Sequence, residues 1–290
     1  MSGSYVRHRP RNGGGVEDPA VFSRRETERN YKMTNSEIMQ TALRQSALEL
    51  GCTPEDLLRS ENTVVRSRPA PAARRYLSLP FICNLVCYGA GIVASVSPEV
   101  EDTVRKYIDR IDSFRCFETP SLNVLSGALR PLGYGVCFMA EYWLPDAAIL
   151  HPLGCDFELR MLNPADFDGL YLPEWSNALC EKRRELDMLA CGAYDGKKLV
   201  GLAGCSADCE SMWQIGIDVL PGYRRRGIAS ALTSRLAAET AALGKVPFYC
   251  CAWSNIASAK NAMRSGFRPA WVELTAKDLS FIDSINGEKT

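Results

Sequence analysis

The apolar, strand-like run of residues 212–220 leads through Arg224-Arg225-Arg226-Gly227-Ile228-Ala229 into a helical stretch over residues 230–243. No other part of the chain restricts the fold as tightly. An arginine, a glycine three residues later and a small residue two further on carry a strand into a helix. The backbone amides of the turn are left exposed, with cationic charge beside them. That geometry can hold a pyrophosphate, so the chain is expected to bind a nucleotide-like cofactor toward its C-terminal end. In the helix that follows, Ile228, Ala231, Leu232 and Leu236 fall on one face, as a helix packed on a sheet requires.

The surrounding pattern alternates strands with helices. Residues 157–162 read as a strand, 164–171 and 174–184 as two helices, and 188–194 and 198–206 as a hairpin joined by Asp195-Gly196. Beyond the arginine turn, Gly244 and Pro247 stop the helix. A strand at 248–253, a helix at 255–265 ending on Gly266, and a strand at 269–275 follow. Upstream, helical spacing runs through Ile38, Ala42, Leu43, Ala47 and Leu50 to Gly51, and a short helix is expected at 54–59. Arg68-Pro69-Ala70-Pro71 is a connector, and two strands flank Tyr88-Gly89-Ala90-Gly91. Helices at 98–111 and 121–130 and a strand at 135–143 complete this part. The expected organisation is a flexible tail over residues 1–32, an α/β domain of unknown role over 33–150, and a second domain over 151–290. Folding is expected to begin near Met33.

Composition excludes several classes of function. A chain of 290 residues, 46% apolar and 23% charged, buries a normal core and has room for two modest domains. Its formal charge is zero, so no global field draws it to nucleic acid or to an anionic membrane. The most apolar stretch, residues 79–96, is interrupted by Asn84, Tyr88, Gly89 and Gly91 and reads as paired strands, not as a membrane span. The first thirty residues lack the apolar segment of a secretion signal. Twelve cysteines are scattered without a CxxC pair and with only two histidines, so they read as reduced thiols in a cytoplasmic protein that binds no metal.

Residues 224–229 match the Q/R-x-x-G-x-G/A signature of the GNAT superfamily of acyl-CoA-dependent N-acetyltransferases. Pro221-Gly222-Tyr223 precedes the signature as in that family. Asn255-Ile256-Ala257-Ser258 and Gly266-Phe267 resemble its second signature, Asn-x-x-Ser followed by Gly-Phe. The resemblance spans residues 157–275. It implies the GNAT fold, an α/β arrangement of α+β type: a mixed, mostly antiparallel central sheet flanked by helices, here with the N-terminal α/β domain added.

What the resemblance implies about chemistry is direct transfer of the acetyl group of acetyl-CoA to a primary amine, of a small molecule or a peptide. Arg224, Arg225, Arg226, Gly227, Ile228, Ala229 and Ser230 would hold the pyrophosphate. Ile217, Asp218 and Val219 fall on a strand that splays from its neighbour in the family, leaving main-chain groups for the pantetheine arm, where an amide would stabilise the oxyanion. Asn255 and Ser258 would reach the cofactor from the far side, although Asn255 also reads as a helix cap.

The amine must lose a proton before attack, and Asp218 is the candidate base, with Asp208 and Glu210 behind it. It is an acid in an otherwise apolar strand, where burial would make its carboxylate more basic. The family's usual tyrosine, general acid for the departing thiolate, is replaced here by Ala262. Ser258, Asn261, Tyr249 or a water would serve instead, or the thiolate would leave unassisted, since an ordinary thiol is already a tolerable leaving group. A non-catalytic acyl-CoA-binding or regulatory module is the alternative. The acceptor and the oligomeric state are not legible.

Overall fold

The computed structural model describes residues 33–287. The expected tail of residues 1–32 lies outside them. Helix α1 (Asn35–Leu50) opens the fold. Thr34 caps it, receiving the Glu37 amide on its hydroxyl while the Glu37 carboxylate takes the Thr34 amide. Gly51 closes it with φ of 81°, a left-handed conformation that suits glycine.

Strands β1 (Thr63–Arg66), β2 (Cys83–Cys87) and β3 (Ile92–Val96) come next, followed by helices α2 (Glu101–Ile108) and α3 (Thr119–Leu129) and the long strand β4 (Tyr134–Pro145). The remaining strands are β5 (Glu158–Leu162), β6 (Asp187–Asp195), β7 (Lys198–Ser206), β8 (Met212–Val219), β9 (Val246–Ala252) and β10 (Phe267–Asp278). Helix α4 (Ile228–Ala242) joins β8 to β9, α5 (Ile256–Arg264) joins β9 to β10, and α6 (Leu279–Gly287) follows β10.

Among the described residues, ten strands form one sheet in the order β1-β3-β2-β10-β4-β9-β8-β7-β6-β5, in which only the β1/β3 and β8/β9 pairs are parallel. The sheet is therefore mixed and mostly antiparallel, with helices against it, as the GNAT fold requires. Strands from both sides of residue 150 share it, because β10 lies between β2 and β4 and pairs with each.

Side-chain alternation along the strands sends successive residues to two layers. Helix α1 packs over Val86, Val93, Met212 and Phe248 on one face. On the other face, Trp213, Ile215, Tyr249 and Phe267 meet Ile228, Leu232 and Leu236 of α4. Gly201 on β7 lets α4 come close, since a Cβ there would lie 2.7 Å from the Ile228 Cγ2.

A buried ion cluster ties the early part of the chain to β10. Arg74 is 3% exposed and pairs with Glu49 of α1 at 2.6 Å and with Glu273 of β10 at 2.8 Å. Its guanidinium lies 5.1 Å from the Tyr142 ring centroid, and Tyr142 stacks on Trp271 at 4.7 Å. The Trp271 indole N–H donates to Glu273 at 2.8 Å. Removing one partner of such a cluster strands a buried charge, which costs about 3–5 kcal/mol.

Two expectations need correction. Residues 164–184 do not form two helices but a meander with short 3-10 turns at Pro164–Asp166, Pro173–Trp175 and Glu181–Leu186. Gly169 at φ 83° ends the first helical attempt. Pro173 holds Leu172 extended at φ −119° and ψ 155°. Downstream, the backbone N–H groups of Asn177, Ala178 and Cys180 donate to carboxylates on the sheet. The helix expected at 54–59 is a series of turns.

Candidate functional site

Strands β8 and β9 are paired only at Met212, Trp213 and Gln214. Beyond Gln214 they diverge: β9 turns to β4, pairing Tyr249 with Trp143 and Ala252 with Ala140, while β8 stays on β7 as far as Val219. The result is a wedge in the middle of the sheet, opening into a cleft of about 900 Å³. The Leu220 N–H donates to the Val200 carbonyl. By antiparallel alternation the main chain of Asp218 then faces β7, and that of Ile217 and Val219 turns into the wedge.

The turn at the head of the cleft has a demanding backbone. Arg225 sits at φ 62° and Gly227 at φ 79°, both left-handed, so the amides after them project from the start of α4. A left-handed non-glycine residue such as Arg225 carries a cost of about 1–2 kcal/mol. The Arg224 Nε donates to the Val219 carbonyl at 3.1 Å, pinning the turn to β8. The Ser230 hydroxyl donates to the Gly227 carbonyl at 3.1 Å.

Across the cleft, Asn255 caps α5 by accepting the Ser258 N–H at 3.1 Å. The Tyr249 hydroxyl donates to the Ser258 Oγ at 3.3 Å. Burial pushes this phenol above its ordinary pKa, with the Ser258 and Asn261 hydrogen bonds acting the other way. Lys260 and Arg264, one helical turn apart on α5, add cationic charge to the lining.

The third wall comes from the meander. Asn177 lines the cleft, with its carbonyl oxygen over Gly216. The Gln214 Nε2 donates to the Cys250 thiol at 3.1 Å, and burial pushes the Cys250 pKa up to about 12, so it is an un-ionised thiol at neutral pH.

Residues 157–267 match the model of the acetyltransferase (GNAT) family. This stretch is a GNAT domain. No curated protein matches the chain. Among solved structures the chain is similar to a GNAT-family protein of Novosphingobium aromaticivorans, with 18% identity, 50% of this chain and 66% of that chain covered, and a TM-score of 0.41. It is also similar to a GNAT-family acetyltransferase of Colwellia psychrerythraea, with 17% identity, 63% and 76% covered, and a TM-score of 0.40. An aminoglycoside N-acetyltransferase in complex with CoA is similar at 22% identity, with 42% and 93% covered and a TM-score of 0.32. The match to the first of these spans just under two thirds of that protein's chain.

Within the GNAT domain most of the sequence-derived site residues converge. Ile217, Asp218, Val219, Arg224, Arg225, Gly227, Ile228, Ala229, Ser230, Asn255 and Ser258 all line the cleft. Arg226 does not. Its guanidinium stacks on Phe157 at 4.4 Å and over Tyr223 at 5.8 Å, because the left-handed Arg225 turns successive side chains to different sides.

Asp218 is half-buried, and its carboxylate is engaged. Oδ2 accepts the Asn177 N–H at 2.8 Å and the Ala178 N–H at 3.0 Å, while Oδ1 accepts the Asn177 Nδ2 at 2.6 Å. Asp208, 1% exposed, is paired with Arg183. Burial raises its pKa, with the Arg183 charge opposing.

Ala262 is fully buried with Tyr249, Leu236 and Phe267 and is not part of the cleft lining. Asn261 donates to Thr233 at 3.0 Å, and Tyr249 and Ser258 form a hydrogen-bonded hydroxyl pair at the cleft.

Sequence reasoning missed Asn177, Gln214, Lys260 and Arg264. The spacing of Lys260 and Arg264 on one helix face was a usable signal, whereas nothing local marks Asn177 as part of a site.

Proposed function

We propose that the protein is an acyl-CoA-dependent N-acetyltransferase that moves an acetyl group from acetyl-CoA directly to a primary amine of a small molecule or a peptide. One observation carries the reading. The wedge between β8 and β9 opens directly beneath the exposed amides of the 224–230 turn. A pyrophosphate fits at the helix start, where unpaired N–H groups and the positive dipole end favour anions. Arg225, Lys260 and Arg264 offer charge around it. An extended, amide-bearing arm fits the wedge, with the main chains of Ile217 and Val219 as partners. Gly227, Ile228, Ala229, Ser230, Asn255 and Ser258 complete the contact surface. Arg224 contributes by holding the turn to β8, and Arg226 by packing on Phe157.

Acetyl-CoA supplies an activated thioester. In the transfer, the amine nitrogen bonds to the acetyl carbon, the carbon–sulfur bond breaks, and the amine proton and the thiolate charge must both be settled. An amide in the wedge is suited to the developing oxyanion. The Tyr249–Ser258 hydroxyl pair is the proton source on the cleft wall, in place of the tyrosine that the family carries where Ala262 stands here. A thiol of ordinary pKa is a tolerable leaving group without full protonation. The free cysteines fit a reducing compartment. Among the described residues no helix is long and apolar enough to cross a membrane.

The test has two parts. Titration calorimetry is expected to show acetyl-CoA binding, and a panel of aliphatic diamines, amino-acid amides and amino sugars is expected to release free thiol from acetyl-CoA in at least one case. No binding at millimolar acetyl-CoA would overturn the reading. Tight CoA binding with no turnover across the panel would favour a non-catalytic acyl-CoA-binding module.

A further inference from the structure

On that acetyl-transfer reading, we infer that Asp218 is a positioning residue. Together with Gly204 and Gly216 it seats residues 177 and 178 on the sheet, so that the Asn177 side chain forms the amine-binding wall of the cleft.

The seat is built from three residues on one face of two paired strands. Gly204 of β7 and Gly216 of β8 are direct register partners, and Asp218 is the next residue of β8 on the same face. The carbonyl oxygen of Asn177 lies over Gly216 and that of Ala178 over Gly204. A methyl group at either glycine would overlap the carbonyl above it. The seated N–H groups go to the third residue: Asp218 Oδ2 takes both the Asn177 and the Ala178 amide. Two backbone donors on one ionised oxygen are charge-assisted bonds, stronger than neutral ones. The two peptide groups are thus fixed through their carbonyls by the missing side chains and through their amides by a carboxylate.

This arrangement also orients the Asn177 side chain. An ionised carboxylate only accepts hydrogen bonds, so the Asn177 group 2.6 Å from Asp218 Oδ1 is the NH₂. The Asn177 amide oxygen therefore points away from Asp218. Asn177 lines the cleft with its main-chain carbonyl over Gly216, beyond the point where β8 and β9 part. An amide oxygen held there accepts a hydrogen bond from an incoming N–H and suits an amine acceptor. Three of the lone-pair sites of Asp218 are committed to donors within the protein, which is the pattern of a structural anchor.

Kinetics of Asp218→Ala, Asp218→Asn and Asn177→Ala in the full chain test the inference, using the panel amine that releases CoA fastest. Asp218→Ala and Asn177→Ala are each expected to lower kcat/KM for the amine by about tenfold to a hundredfold, mainly through KM, while acetyl-CoA affinity by calorimetry changes less than about twofold. The double variant is expected to be little worse than either single one, because the two act as a unit. In Asp218→Asn, the new amide oxygen can keep the two backbone donors, and the Asn177 amide can rotate to meet the new NH₂. It is expected to lose less than about tenfold, with an unchanged pH–rate profile. A loss above about a thousandfold in Asp218→Asn, or disappearance of the ascending limb of the profile, would make Asp218 the base and overturn the inference. Wild-type amine kinetics in Asn177→Ala would overturn it as well.

Should no amine on the panel be acetylated, amide hydrogen exchange still decides the seat. Protection of the Asn177 and Ala178 amides lost in Asp218→Ala and kept in Asp218→Asn supports it, and equal protection in all three proteins overturns it.

Discussion

Two of the three walls of the cleft are built on different principles. The wall proposed to hold the acetyl donor, from Val219 to Ser230, is a local structure: a strand end, a left-handed Arg225, a left-handed Gly227 and a helix start, contiguous in the chain. The meander wall, at Asn177 and Ala178, has almost no local structure. Its backbone is held by an aspartate about forty positions away in the chain and by two glycines on different strands. A local wall withstands changes elsewhere and fails when its own backbone is altered. A docked wall is sensitive to residues that never touch the ligand.

Four substitutions would break or sharpen this contrast. The largest effect is expected for Gly204→Ala, which lies outside the cleft lining. Its methyl would displace the Ala178 carbonyl, costing up to about 3 kcal/mol in a denaturant titration. Amine turnover should fall while acetyl-CoA binding persists. Loss of both together would mean that the walls are not independent.

On the donor wall, Gly227→Ala must place a Cβ at φ 79°, at a cost of about 1–2 kcal/mol. Acetyl-CoA binding is expected to weaken about tenfold by calorimetry, the equivalent of 1.4 kcal/mol.

The third prediction concerns the far end of the docked wall, where Asp187 Oδ2 accepts the Cys180 N–H at 2.9 Å. Burial pushes the Asp187 pKa from 3.8 to about 6, with the Cys180 hydrogen bond acting the other way. The folded state thus binds this proton more readily than the unfolded chain. The contribution to stability is full below pH 3.8 and is lost as pH rises through about 6. Asp187→Asn should therefore gain on the wild type between pH 4 and 7, by on the order of 1–2 kcal/mol in urea titrations at stepped pH. A constant difference across that range would mean that Asp187 is not carrying the proton.

The smallest effect is expected for Asn255→Ala, which removes the cap of α5 at about 1 kcal/mol. Asn255→Ser should recover most of it in thermal melts.

The contrast between the walls also explains what was legible. The arginine turn, the hairpin at Asp195-Gly196 and the helix carrying Ile228, Leu232 and Leu236 were all readable, since each is specified by neighbours within a few positions. The arginines were over-read as one group. Their identical side chains share a charge but not a direction, because the left-handed Arg225 sends Arg226 to Phe157. Residues 174–184 carried helical spacing, yet they fold as a meander once carboxylates on the sheet compete for their amides.

Ala262 stands where the resemblance expects a tyrosine, and only packing shows that its side chain faces the core. The Arg74 cluster had no local signal, since Arg74 and Glu273 are 199 residues apart.

What the sequence determined by itself is a strand, a phosphate-compatible turn and a helix, together with the family they mark. Backbone preferences and capping act over a few residues and are written in consecutive letters. The tertiary structure alone decided that β10 lies between β2 and β4, that Arg74 is buried between two glutamates, and that Asp218 is spent on Asn177 and Ala178. Those outcomes depend on which distant groups meet where water is excluded, and there each buried donor, acceptor and charge must find its partner.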